Sequence, residues 1–168
     1  VNKKYDEIIY NMTIYTMTPI TTEIKEGLQI KGASEIKGAV SSKVVQRLLS
    51  QADIAVHVEP TEKEKIENCR LSFSTKLVDY FFHGNCILAV GGDNASMKYL
   101  KKNDAALVIN NLAKITESLI YLYENQNKII ELRQKARKCG IKNHNIKKLQ
   151  NMIIEDFSYL VNGGDKDD

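Results

Sequence analysis

The sequence predicts an α/β fold, a Rossmann-like doubly wound parallel sheet with a helical C-terminal extension. Three observations lead there. Apolar runs at 54–58, 86–90 and 105–109 have strand length and lack the polar alternation of a half-exposed strand. Segments of helical periodicity separate them. Glycines or helix-capping residues follow each of the first two strand–helix units.

Residues 3–10 read as the end of a helix, broken at Asn11. The β-rich run 12–17 follows and is closed by Pro19, which cannot donate to a central ladder. A short helical piece over 21–26 leads through Gly27 to the run 28–31, and Gly32 and Gly38 bracket another short apolar stretch. Ser41 and Ser42 suit an N-cap, and Val44, Val45, Leu48 and Leu49 give an amphipathic helix to about Gln51. The run 54–58 then predicts a strand covered on both faces. Residues 59–72 are polar and predict a long loop, the kind that in compact domains tends to be functional. A helix over 75–83 ends at Gly84, a favoured C-cap. The strand 86–90 turns at Gly91-Gly92, Asp93 or Asn94 caps a helix to about Lys102, and 105–109 is the last strand. Apolar stripes at 112, 115, 119 and 122, at 129, 130, 132 and 136, and at 146, 149, 153, 157 and 160 predict three more helices. The expected organisation is a Rossmann-like domain over 1–125, C-terminal helices over 126–162 packing on it or on a separate N-terminal domain, and a frayed tail at 163–168.

Composition narrows the function. The 168 residues suffice for one domain with a sizeable core. A net charge of +3, from 24 basic and 21 acidic residues spread along the chain, argues against nucleic acid as a partner. It suits a small anionic ligand or loose contact with an anionic membrane surface. No run approaches the roughly 18 apolar residues of a membrane span, and the polar start shows no signal peptide. Cys69, Cys86 and Cys139 have no paired spacing and read as reduced thiols in a cytoplasmic protein, with no metal site expected. A start at Val1, a residue that reads as the inside of a helix, suggests a piece of something longer.

Ligands of open parallel sheets bind beyond the carboxyl ends of the strands. The polar loop after Val58 begins with Glu59 and runs into Ser74-Thr75-Lys76 at a helix start. Free amides, two hydroxyls and a full charge there would hold a diphosphate. The same residues would also make an ordinary N-cap with a solvated lysine. Asp79, one turn on, either accepts hydroxyl hydrogen bonds from a ribose or pairs with Lys76 at i, i+3. Gly91-Gly92-Asp93-Asn94-Ala95-Ser96 repeats the strand–turn–cap logic, and alone is an ordinary βα turn. Walker, GxGxxG, HExxH and GxSxG patterns are missing, and Asp165-Lys166-Asp167 in the tail is no metal site. His57 reads as a core or rim histidine, His83 as a helix C-terminal cation, and His144 carries little signal.

The stretch from Ser72 to Val90, with Ser74-Thr75-Lys76-Leu77-Val78-Asp79-Tyr80 and Gly84-Asn85-Cys86-Ile87-Leu88-Ala89 at its centre, resembles the donor-site signature of type B glycosyltransferases, more narrowly the retaining family four. Gly38-Ala39-Val40-Ser41, Leu48-Leu49-Ser50-Gln51-Ala52-Asp53 and Ala95-Ser96-Met97-Lys98-Tyr99-Leu100 resemble its flanking segments in order. The likeness spans roughly residues 12–125. It implies the donor half of an enzyme that transfers a sugar from a nucleoside diphosphate sugar to a hydroxyl of a glycan or lipid-linked acceptor, without metal or other cofactor, at the inner face of the membrane. It implies a separate N-terminal domain for the acceptor, with the first strand of this domain upstream of Val1. By the same resemblance Asp79 holds the ribose, Ser74, Thr75 and Lys76 face the diphosphate with Lys76 stabilising its charge, and Ala39 and Val40 border the base. Two departures stand out. The first acid of the family's pair, expected near Leu71, is absent, so Glu59 is the acid left to reach the site. Cys86 stands where the pattern has proline. A nucleotide-sugar epimerase half and a degenerate, non-catalytic binding module are the alternatives.

Overall fold

The structure, a computed structural model, describes residues 1–161. Its first part runs α1 (Asn2–Tyr5), β1 (Met12–Tyr15), α2 (Thr22–Leu28), β2 (Ser34–Lys37) and α3 (Ser42–Gln51). The central part is β3 (Ile54–Val58), α4 (Lys63–Asn68), α5 (Lys76–His83), β4 (Cys86–Val90), α6 (Ala95–Lys102) and β5 (Leu107–Ile109). A 3₁₀ turn (Leu112–Lys114) leads into α7 (Ile115–Glu124), α8 (Gln126–Asn143) and α9 (Ile146–Val161).

The protein is α/β and both of its sheets are parallel. They hold two and three strands, in the orders β1-β2 and β3-β4-β5, where a single sheet was predicted. Register places Met12 opposite Ser34, Ile54 opposite Cys86 and Leu88 opposite Leu107. This arrangement is compatible with a Rossmann-like fold.

β4 organises the core because it lies between two partners and every one of its residues is buried. Its Ile87 and Ala89 pack with Leu77 and Phe81 of α5, Met97 and Leu100 of α6, and Ala136 and Cys139 of α8. Its opposite face sends Leu88 and Val90 against Ile109, Ile115 and Leu119. Helices therefore cover both faces of this strand. α8 sits close on α5: a Cβ at Gly140 would come within 2.7 Å of the Phe81 Cβ. At the end of α5, Gly84 takes the left-handed conformation (φ 62°) that the sequence predicts for it, and the amide of Asn85 bonds back to the carbonyl of Tyr80. The buried Asn85 side chain then donates to the carbonyls of Leu49 and Ala52, tying down the end of α3.

The β1–α2–β2 lobe contributes one buried residue, Ser34. It is held to α7 from its N-terminal side. Tyr10 Oη donates to the Leu119 carbonyl at 2.7 Å, Tyr5 Oη donates to Glu124 at 2.7 Å, and the Tyr5 ring meets Tyr123 edge to face.

Four expectations are corrected. The helix expected over 3–10 stops at Tyr5, because Asp6 turns left-handed (φ 52°). The predicted loop 59–72 contains α4, which Glu62, Lys63, Glu64 and Lys65 favour by helix propensity while only Ile66 and Cys69 turn partly inward, so it carries no apolar stripe to read. β3 is an edge strand instead of a doubly covered one: Ala55 and His57 face inward while Val58 is 70% exposed. β5 starts at Leu107, since Asp104 is left-handed and Ala105 and Ala106 pack into the core ahead of the ladder. The predicted tail, 163–168, lies outside the described residues.

Candidate functional site

The carboxyl ends of β3, β4 and β5 converge through backbone bonds. The Glu59 amide donates to the Val90 carbonyl at 2.8 Å, the Gly91 amide to Ile109 at 3.0 Å, and the Gly92 amide to Pro60 at 2.8 Å. Asn110 Nδ2 adds a bond to the Gly91 carbonyl at 2.8 Å and one to Asp93 at 3.1 Å. Gly91 is required for this approach, and Gly92 leaves room for the Ile66 side chain. A Cβ at Gly91, where φ is 144°, would stand 2.4 Å from the Glu59 carbonyl oxygen, and one at Gly92 would meet Ile66 at 2.2 Å. A cleft of about 490 Å³ opens here, lined among others by Glu59, Pro60, Thr61, Lys65, Val90 and Leu112.

Glu59 is the chemical feature of the cleft. Its side chain is 13% exposed, and Oε1 lies 2.8 Å from Nε2 of His57, which is itself buried. Oε2 has no protein partner among the described residues. One oxygen is therefore spent on orientation, and the other remains as an acceptor at the cleft. His57 sits below the ordinary imidazole value of 6.5: burial lowers it most, Glu59 pulls the other way, and the charge of Lys76 lowers it further. The Lys76 field thus reaches the same dyad from the start of α5.

The sign of the pH dependence follows from that depression. The folded chain takes up a proton at His57 less readily than the unfolded chain, so the resulting stability is present above pH 6.5 and is lost as pH falls below it. Burial lowers His144 in the same direction. The melting temperature is expected to fall from pH 7.5 to 5.5, and the NMR titration of His57 to have its midpoint below 6.5. A midpoint above 6.5 would mean that the Glu59 partner outweighs burial.

At the start of α5 the predicted residues lie as follows. Thr75 and Lys76 are exposed, and their amides have no protein acceptor among the described residues. The Ser74 amide is already taken: it donates to Ser96 Oγ at 2.9 Å, and that hydroxyl donates on to the Ser72 carbonyl. The Ala95 amide bonds to Arg70, and Asn94 caps α6 by accepting from the Met97 amide at 3.0 Å. The Asn94-Ala95-Ser96 turn thereby holds the 70–74 loop in place. Asp79 accepts from Gln46 Nε2 of α3 at 3.2 Å, and the other end of that amide bonds to His83. No ion pair joins Asp79 to Lys76 among the described residues. Ala39 and Val40 are exposed beyond the carboxyl end of β2, in the other sheet.

Of the predicted site residues, Glu59 alone lines the cleft, and Lys76 is tied to it electrostatically through His57. Gln46, and the bond of Ser96 to Ser74, escaped the sequence reading because the partners lie 33 and 22 residues apart. Among the described residues no cluster of His, Cys, Asp and Glu has the arrangement of a metal site, and no helix is long and apolar enough to cross a membrane. Comparison with protein-family models, with curated proteins and with solved structures finds no match to the chain.

Proposed function

We propose that this chain binds a nucleoside diphosphate sugar and serves as the donor-binding half of a glycosyltransferase. The single observation behind the reading is the pairing, beyond the carboxyl ends of parallel strands, of a cationic helix start with a cleft lined by the oriented carboxylate of Glu59. The diphosphate lies at the Thr75 and Lys76 amides, with the Lys76 ammonium meeting the negative charge that builds on the leaving group. Glu59, steered by His57, accepts hydrogen bonds from hydroxyls of the donor. Asp79, joined to Gln46, is the second carboxylate within reach of the ligand. The acceptor and the groups that orient its hydroxyl come from a further domain, across the cleft.

Thermal unfolding with UDP, GDP, ADP and CMP tests this. A ligand at one hundred times its Kd adds about 2.7 kcal/mol, which for a chain of this size raises the melting temperature by roughly 5–10 °C. One nucleoside diphosphate is expected to do so. Lys76→Ala is expected to weaken it roughly 10- to 100-fold through the lost charged hydrogen bond. Glu59→Gln is expected to weaken the nucleotide sugar more than a simple inorganic diphosphate. Failure of all four nucleotides to shift unfolding at millimolar concentration would refute the reading.

A further inference from the structure

Helix α9 presents a wide apolar stripe to solvent. None of its 16 residues is buried, and Ile146, Leu149, Ile153, Phe157 and Leu160 are between 43% and 71% exposed. A helix of this length is marginal alone in water, so the stripe calls for a partner. Its root is nevertheless held firmly. Tyr99 Oη lies 2.9 Å from His144 Nε2, Asn143 donates to the same hydroxyl at 3.0 Å, and the His144 ring stacks on Phe73 and Phe81.

We propose that two copies of this chain associate through an antiparallel, two-fold pairing of α9 centred on Ile153. The spacing of the stripe is the first reason. Leu149 and Phe157 stand four residues to either side of Ile153, and Ile146 and Leu160 stand seven to either side. A two-fold axis through Ile153 therefore sets Ile153 on Ile153, Leu149 on Phe157 and Ile146 on Leu160, an isologous seam with no charged residue in its layers. Charge is the second reason. Lys147 and Lys148 lie near the start of α9 and Glu155 and Asp156 in its second half. Antiparallel pairing brings the basic end of one helix beside the acidic half of the other, and parallel pairing would stack like on like. With two basic and two acidic residues, α9 also lacks the cationic face by which amphipathic helices hold anionic membranes. A standard interface uses about 20–30 residues a side, more than this one helix supplies, so the dimer is a weak one, with a Kd on the order of tens of micromolar.

The test uses the whole chain in a Cys69→Ser background, since the other two thiols are buried. Sedimentation over a concentration series bracketing that Kd is expected to show a monomer–dimer equilibrium, abolished by Ile153→Asp with no change in melting temperature. On mild oxidation Ile153→Cys is expected to form a disulfide-linked dimer. Ile146→Cys alone is not, because its two copies would lie about 21 Å apart at 1.5 Å per residue, against a reach of about 7 Å between Cα atoms. Mixing Ile146→Cys with Leu160→Cys is expected to restore the link. A monomer at every concentration, a dimer that survives Ile153→Asp, or self-linking of Ile146→Cys would each overturn the proposal. So would a monomer that binds phosphatidylglycerol vesicles through α9. None of these readouts depends on nucleotide binding, so this inference and the donor-site reading stand or fall separately.

Discussion

Replacing Gly91 by alanine is expected to lower the melting temperature by about 6–12 °C and to remove stabilisation by nucleotide. At φ 144° an L side chain is strained, which costs about 1–3 kcal/mol by itself. The new Cβ would in addition sit 2.4 Å from a backbone oxygen, that of Glu59, and backbone cannot swing aside as a flexible side chain can. A total of about 3 kcal/mol converts to the stated shift at roughly 2–4 °C per kcal/mol for this chain length. Relief of the clash has to move the β3 end, and with it the Glu59 carboxylate and its bond to His57. Gly38→Ala is the control: nothing lies within 4 Å of the added atom, and little change is expected. Equal melting temperatures for the two variants would show that the glycine contact at the cleft is dispensable.

Phe81→Ala is expected to cost about 3–5 kcal/mol, the range for emptying a buried aromatic site. Phe81 is 1% exposed and shares its cluster with β4, α6 and α8, while its ring also faces Tyr99 and His144. Gly140 presses α8 against the same side chain, so the cavity would open between helices that cannot easily close over it. The neighbouring Phe82 is 75% exposed, and Phe82→Ala should change stability by only a few tenths of a kcal/mol. Denaturant unfolding of the two variants measures the difference. If they proved equally mild, the packing of α8 on α5 would not be holding the fold together.

Local signals carried much of the architecture. The continuous apolar runs predicted β3 and β4 at their observed bounds because a strand core is written in consecutive residues. Gly84 marked a helix end and the pair Asp93-Asn94 a helix start, of which Asn94 is the cap, because capping is settled within a few residues. The amphipathic stripe did the same for α3, which ends at Gln51 as predicted. α4 was hidden because charged helix formers with little apolar contact look like loop. The helix expected over 3–10 was cut short by one left-handed aspartate, a conformation that nothing in the spacing announces.

The site divides along the same line. Sequence alone located the carboxyl-end loops, placed Lys76 at a helix start and nominated Glu59 and Asp79, since strand ends and helix caps are features of short segments. Tertiary structure decided which of those groups work together. It buried His57 against Glu59 at the edge of the cleft, and it gave the Ser74 amide to Ser96 and the Asp79 carboxylate to Gln46. Whether a carboxylate is free, oriented or spent depends on what the fold brings within 3 Å of it. His57 lies only two residues from Glu59, and the fold's part there is to bury His57 against it. The neighbours of Ser74 and Asp79 come from a turn and a helix 22 and 33 residues away, a distance across which local sequence pattern carries no force.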